Sequence, residues 1–272
     1  MDLPVTVGVD TSEASLAAAD WAAREALLRG RPLRVLHALP LMPHLLPGRT
    51  AGQPSDGGGL LHEVQHILAV RHPGVLLHTE EVHDVATSAL SAAAEDAELL
   101  VVGARGDGGF AGLRVGSTAL YLAARAGCPT VVLPAESAGP EQRDQVVVGV
   151  DARRPAEAAL EFAFATAARY GLPLRAVHAT VVPVADRAAG RRDGEAGLLA
   201  RALAPWKAAH PGVEVVEVTE CAAPGLLLVE ASAKAALLVV GRRPAVRIGL
   251  LGPVAHVVLH HAACPVAVVP DA

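Results

Sequence analysis

The chain has 272 residues, 52% of them hydrophobic and 19% charged, with a formal net charge of −5. That length suits two domains rather than one, and the composition excludes a disordered chain. The acidic balance gives no support for a nucleic-acid partner or a polybasic membrane anchor. Aromatic residues make up 3%, so the core must be built from Val, Leu and Ala. Such a core favours parallel strands covered by Ala-rich helices.

The first β-branched run, Val5 to Val9, predicts a strand. Thr11 or Ser12 can cap the helix that follows, with Glu13 in its first turn and Gly30 as its left-handed stop. Leu33 to Ala38 predicts a second strand, followed by a Pro/Gly-rich loop from Pro40 to Gly59. A helix over about Leu60 to Arg71 leads through His72-Pro73-Gly74 into a third strand near Val75 to Val82. A third helix covers about Val85 to Ala97, and Leu99 to Val102 predicts a fully buried fourth strand. A glycine-rich loop spans Gly103 to Val115. Gly116 to Ala126 predicts the fourth helix, and Thr130 to Leu133 the fifth strand.

The remaining chain repeats this order. VTVGVD ending at Asp10 matches VVVGVD ending at Asp151, and PLRVLHAL from Pro32 matches PLRAVHAT from Pro173, both at an offset of 141. HPGV from His72 matches HPGV from His210, and LLVVG ending at Gly103 matches LLVVG ending at Gly241, at an offset of 138. Cys128-Pro129 matches Cys264-Pro265 at 136. The drift falls in loops, so the halves are whole duplicated domains rather than solenoid repeats. The reading is a domain over 1–136, a polar linker over 137–144 and a second domain over 145–272. Strands alternating with helices imply right-handed crossovers and, in each half, a doubly wound five-stranded parallel sheet of the α/β class. Ligands in such sheets bind beyond the carboxyl ends of the strands, where the order reverses. The functional residues should follow the first and fourth strands.

The fourth-strand loop carries the strongest signal. Gly103 and Gly106 leave room for backbone N–H groups to face a ligand. Gly116, Ser117 and Thr118 open a helix whose unpaired amides and dipole favour phosphate. The two hydroxyls can donate to phosphate oxygens. A plain flexible turn is the simpler reading of the glycines, and Asp10 alone could cap the first helix.

With these residues in view, GARGDGGFAGLRVGSTA resembles the G-x2-G-x9-G-[S/T] signature of ATP-binding universal stress proteins. VGVDTSEAS is similar to that family's first strand and acidic turn, and CPTVVLP to its last strand. The resemblance covers nearly the whole chain, twice. It implies strand order 3-2-1-4-5 and ATP, or another adenine nucleotide, as ligand. Asp10 would hydrogen-bond the ribose, Val9 and Ala38 would line the adenine, and Val102 would lie near the adenosine. Gly103, Gly106, Gly116, Ser117 and Thr118 would hold the phosphates. Mg2+ can accompany them, although no dedicated acidic pair is present. The resemblance also implies that the halves pair as an intrachain pseudo-dimer through their last strands; a homodimer of chains is compatible with it.

The second copy departs from the signature. Pro244 replaces the second glycine, the loop is two residues shorter, and Pro253 stands where the first copy has Ser117. Proline offers neither amide nor hydroxyl to phosphate. This copy is expected to bind ATP weakly or not at all. Arg242, Arg243 and Arg247 could hold another anion or lie on a solvated surface. Arg105 and Arg114 flank the first loop with the same two readings. His256, His260 and His261 tempt a metal reading, but no third ligand at metal-site spacing and no HExxH motif accompany them.

Cys128, Cys221 and Cys264 form no CxxC pair, which fits a reducing cytoplasm; no signal peptide or membrane span is legible. Three function classes stand: an ATP-binding stress or signalling module, a slow ATP-hydrolysing or adenylyl-transferring enzyme, and a partner-binding pseudo-dimer with a vestigial loop. No Walker-type GK[ST] follows the first strand and no general base lies beside the glycine loop, which favours the module.

Overall fold

A computed structural model describes residues 2–39, 57–107, 114–135, 143–180, 191–243 and 251–271. The chain divides into two compact units, Met1–Ala135 and Glu136–Ala272. Most of the Pro40–Gly59 loop, the middle of the glycine loop, most of the linker and Arg247 lie outside the described residues.

The first unit runs β1 (Val5–Val9), α1 (Glu13–Arg29), β2 (Leu33–Ala38), α2 (Gly57–Arg71), β3 (Leu77–Val82), α3 (Ala86–Glu95), β4 (Leu99–Gly103), α4 (Ser117–Arg125) and β5 (Thr130–Leu133). The strands pair in parallel in the order β3-β2-β1-β4-β5. The chain winds outward from β1 to β3, then crosses back to β4 on the other side of β1. Right-handed crossovers in opposite directions put α1 and α2 on one face and α3 and α4 on the other. The contacts agree: α1 packs against α2, and α3 against α4.

The core follows from small side chains. Ala18, Ala19, Ala22, Ala23 and Ala26 of α1 are buried, as are Leu99 to Val102 of β4. Alanine faces let helices lie close to a sheet, and glycine in the strands brings them closer. A Cβ on Gly8 would meet Leu90 of α3 at 2.8 Å. Ser12 caps α1 by accepting from the Ser15 amide, and Gly30 ends it in the left-handed conformation at φ 62°. The third strand starts at Leu77 rather than Val75. The Val75 amide is spent on the His72 carbonyl in the turn that Gly74 makes at φ 107°, and the pairing with β2 begins at Leu33 and Leu77. The second helix begins at Gly57, within the segment expected to be loop.

The second unit repeats the plan: β6 (Gln145–Gly149), α5 (Glu157–Tyr170), β7 (Leu174–Ala179), α6 (Arg191–Ala209), β8 (Val215–Glu220), α7 (Pro224–Ser232), β9 (Ala235–Arg242), α8 (Pro253–His261) and β10 (Val266–Pro270). Its strands pair in parallel in the order β8-β7-β6-β9-β10. The packing repeats as well as the order. A Cβ on Gly149 would meet Leu228 at 2.8 Å, as one on Gly8 would meet Leu90. Phe164, fully buried, stacks on Trp206 and His210 at ring separations of 6.4 and 5.6 Å. Cys128 and Cys264 are buried, and burial pushes the Cys264 thiol up to about 12.

An ion group ties the end of α1 to the base of β4. The Arg29 and Arg31 guanidiniums donate to Glu98 at 2.9 and 2.5 Å, and Arg29 also pairs with buried Glu25 at 2.6 Å. Burial pulls the Glu98 carboxyl upward, but the hydrogen bonds and charges of Arg29 and Arg31 outweigh it and hold it below the ordinary value of 4.5. An unfolded Glu98 therefore takes up its proton before the folded one does. The stabilisation is complete above that value and is lost as pH falls below it and through the depressed folded-state value. Urea unfolding between about pH 5 and about pH 3 should show stability declining more steeply in the wild type than in Glu98→Gln. Equal slopes would remove Glu98 from this role.

Candidate functional site

The carboxyl ends of β1 and β4 flank the point where the strand order of the first unit reverses. There, Asp10 follows β1 and the glycine loop follows β4. The Asp10 carboxylate accepts from the Ser12 amide at 3.0 Å and the Ser12 hydroxyl at 2.5 Å through Oδ1. Through Oδ2 it accepts from the Asp107 amide at 3.0 Å. Three donors on a group with about four acceptor positions leave capacity for one more. Ser15, almost fully buried in α1, donates to the Asp10 carbonyl at 2.7 Å and accepts from its amide at 3.1 Å. The Thr11 hydroxyl donates to the Asp107 side chain. One acidic residue thus fastens the start of α1 to the loop after β4.

The glycines make that fastening possible. A Cβ on Gly103 would lie 2.9 Å from the carbonyl carbon and oxygen of Ala14, so the end of β4 can touch the start of α1 only without a side chain. A Cβ on Gly106 would lie 2.4 Å from Asp10 Oδ2. The space freed by these two residues is filled by α1 and by the Asp10 carboxylate. Gly116 closes the loop by donating its amide to Ala104 at 2.7 Å, and the Ala104 amide donates to Leu133 at 2.7 Å. The Gly116 amide is therefore engaged. Gly116 is the N-cap of α4, and no side chain caps that helix. Its open first turn consists of Ser117, Thr118 and Ala119.

These elements enclose a cavity of about 450 Å3. Val9, Asp10, Ala38, Val102, Gly103, Gly106, Gly116, Ser117 and Thr118, singled out from the sequence, all line it. The apolar wall is completed by Leu36, Ala86 and Leu90 from β2 and α3. Arg105 lines the cavity, whereas exposed Arg114 is not among its lining residues. The sequence reading missed Ser15 and Asp107. Their signals were weak: a serine three residues after a capping serine, and one acid in a loop of glycines. His37 of β2 has Nδ1 2.7 Å from the Val9 carbonyl.

The equivalent position in the second unit is built from other chemistry. The Asp151 carboxylate accepts from the Arg153 amide at 3.1 Å, as Asp10 does from Ser12. Its other oxygen accepts from the Arg243 guanidinium at 3.1 Å, where Asp10 accepts from a loop amide. Burial pulls the Asp151 carboxyl upward, but the Arg243 hydrogen bond, the Arg153 and Arg154 amides and the Arg243 charge hold it below the ordinary value. A larger cavity, about 870 Å3, opens here.

The His256 and His260 rings lie 4.6 Å apart on α8, tilted at 49°, with His261 beside them. Burial, then the charges of these two neighbours, pull the His260 imidazole below its ordinary value. Among the described residues no group of three His, Cys, Asp or Glu is placed to hold a metal. No described helix is long and apolar enough to cross a membrane.

The Gly106 contact has a direct consequence. Gly106→Ala should push the Asp10 carboxylate off the Asp107 amide. Hydrogen exchange at the Asp107 and Ser12 amides should then quicken by about tenfold, the value of one charge-assisted hydrogen bond of about 1.5 kcal/mol. Unchanged exchange would show that the loop does not rest on Asp10.

Comparison with known proteins bears on both units. The sequence model of the universal stress protein family matches residues 3–134 and again 142–270. A universal stress protein of Mycobacterium tuberculosis is 35% identical over 285 residues, covering 97% of this chain and 96% of that protein. One from Mycolicibacterium smegmatis is 31% identical over 283 residues, with 97% and 96% covered. The crystal structure of a universal stress protein from Archaeoglobus fulgidus has a TM-score of 0.73 at 18% identity, covering 99% of this chain and 96% of that one, a likeness of fold.

Proposed function

The chain belongs to the universal stress protein family, and we propose that it binds an adenine nucleotide, ATP foremost, in the cavity of its first unit. The observation that carries this reading is the convergence of nine residues from four separate segments around one cavity at the strand-order reversal. The parts divide by chemistry. Val9, Ala38 and Val102 present small apolar surface to a flat base. Asp10 keeps an acceptor position for a sugar hydroxyl. The uncapped first turn of α4, with the Ser117 and Thr118 hydroxyls, faces the phosphates. The cavity volume lies within the range of small-molecule sites, about 300–1,000 Å3.

The proposed role is nucleotide-responsive binding rather than turnover, in a stress or signalling module. Asp10 serves two masters in this reading: it already holds the Gly106–Asp107 loop and would also take the ribose. Occupancy would therefore tighten or reset the loop that faces solvent at Asp107. That provides a physical route from bound nucleotide to altered surface without any bond being made or broken.

Calorimetric titration of the full chain with ATP tests this. Combined Gly116→Val and Ser117→Ala should abolish binding, because the first turn of α4 is crowded and loses a hydroxyl. Asp10→Asn should weaken it by about tenfold, one charge-assisted hydrogen bond. Asp151→Asn should leave the affinity within about twofold, since that carboxylate belongs to the other cavity. Unaltered affinity in the double variant would overturn the assignment, and a large loss from Asp151→Asn would move the site to the second unit.

A further inference from the structure

The cavity of the second unit, about 870 Å3, is nearly twice the volume of the first, and it has lost the features that suit phosphate. Pro253 opens α8 in place of a serine and has no amide to donate. No side chain caps α8, and Val254 stands where the first unit has Thr118. A carboxylate has entered the lining: Glu195, from α6, projects to within 3.3 Å of His178 Nε2 and pairs with Arg153. Among the described residues nothing from α2 lines the first cavity, so this acid is particular to the second copy.

Both carboxylates at this rim are held by arginines, and Arg242, which also lines the cavity, is not free either. Asp151 is held by Arg243 at 3.1 Å and Glu195 by Arg153. A further phosphate would have to displace one carboxylate from its arginine and lie against the other. Below the rim the wall is apolar: Val150, Val177, Leu228, Val240, Leu251 and Val254 line it. His178, 4% exposed, is a buried polar side chain that lines the cavity, with Nδ1 3.0 Å from the Val150 carbonyl. An apolar cavity with a few convergent polar groups at one end is the form of a site for a small, mostly apolar molecule.

We infer that the second unit is a binding site for an uncharged, largely apolar small molecule whose hydroxyl or aromatic amine donates to Glu195 or Asp151 at the rim. The apolar body fills the space between the ends of β6, β7 and β9 and the start of α8. Arg153 and Arg243 stay with their carboxylates and carry no ligand charge. The site is separate from the nucleotide cavity and does not depend on ATP occupying it.

The test uses N-phenyl-1-naphthylamine, a neutral apolar fluorophore with one N–H donor, and the full chain carrying Ala38→Phe. That substitution blocks the first cavity whether or not it takes ATP, so failure here and failure of the nucleotide reading are separable. The expected result is a saturable, blue-shifted fluorescence increase at one site per chain, unaffected by millimolar ATP. Adding Ala179→Phe, or independently Val254→Trp, each of which fills the second cavity, should weaken binding at least tenfold while the circular dichroism spectrum is retained. Absence of saturable binding, binding unchanged by both filling variants, or displacement by ATP would each overturn the inference.

Discussion

The first unit depends on a contact that only glycine permits. The end of β4 presses against the opening of α1, with the Gly103 Cα facing the Ala14 carbonyl, and Gly106 leaves room for the Asp10 carboxylate beside the loop backbone. A side chain at Gly103 would press on the backbone at the start of α1, and one at Gly106 would displace the Asp10 carboxylate. Without them, Asp10 reaches the Asp107 amide and the cavity acquires its floor. The Ala-rich face of α1 serves the same end. By allowing the helix to lie close to the sheet, it brings the capped start of α1 within hydrogen-bond reach of residues almost one hundred positions further along the chain.

The second unit keeps this frame and changes what it carries. Gly241 still has no room for a Cβ, which would lie 2.6 Å from Ala156 Cβ, and Asp151 still accepts from the amide two residues on. The loop amide that Asp10 uses is replaced by the Arg243 guanidinium. A charged side chain thus takes the place of a loop amide beside the aspartate. The duplicated scaffold thus holds two cavities of different volume and chemistry. Packing constraints such as Gly8 with Leu90 and Gly149 with Leu228 are common to both copies, whereas the polar residues at the strand ends are not. Fold and site chemistry have diverged separately, as they can when the core sits below the strands' midpoints and the ligand beyond their ends.

Much of the architecture was legible because its signals are local. The five strands of the first unit, a cap at Thr11 or Ser12, the Gly30 stop and the duplication rest on β-branched runs, capping chemistry and self-similarity. The start of β3 was two residues out, because a turn at Gly74 and the register with β2 decide where an edge strand begins. The start of α2 was also misplaced, since Gly57 to Gly59 have poor helix propensity and read as loop. Of the site, the nine residues around the cavity came from motif and position. The role of each glycine did not: Gly103 and Gly106 make space for Ala14 and Asp10, and the Gly116 amide is spent on Ala104.

The sequence alone determined that this is a duplicated α/β protein, that its fourth strand is buried, and that the copies differ at Ser117 and Pro253. Those properties follow from residue type and spacing along the chain. Tertiary structure alone decided that Asp107 returns to Asp10, that Ser15 anchors the same turn, and that Glu195 reaches His178 and Arg153 to reshape the second cavity. These pairs are five to ninety-seven residues apart. No periodicity relates them, and only the winding of the sheet brings such distant atoms to the same strand ends.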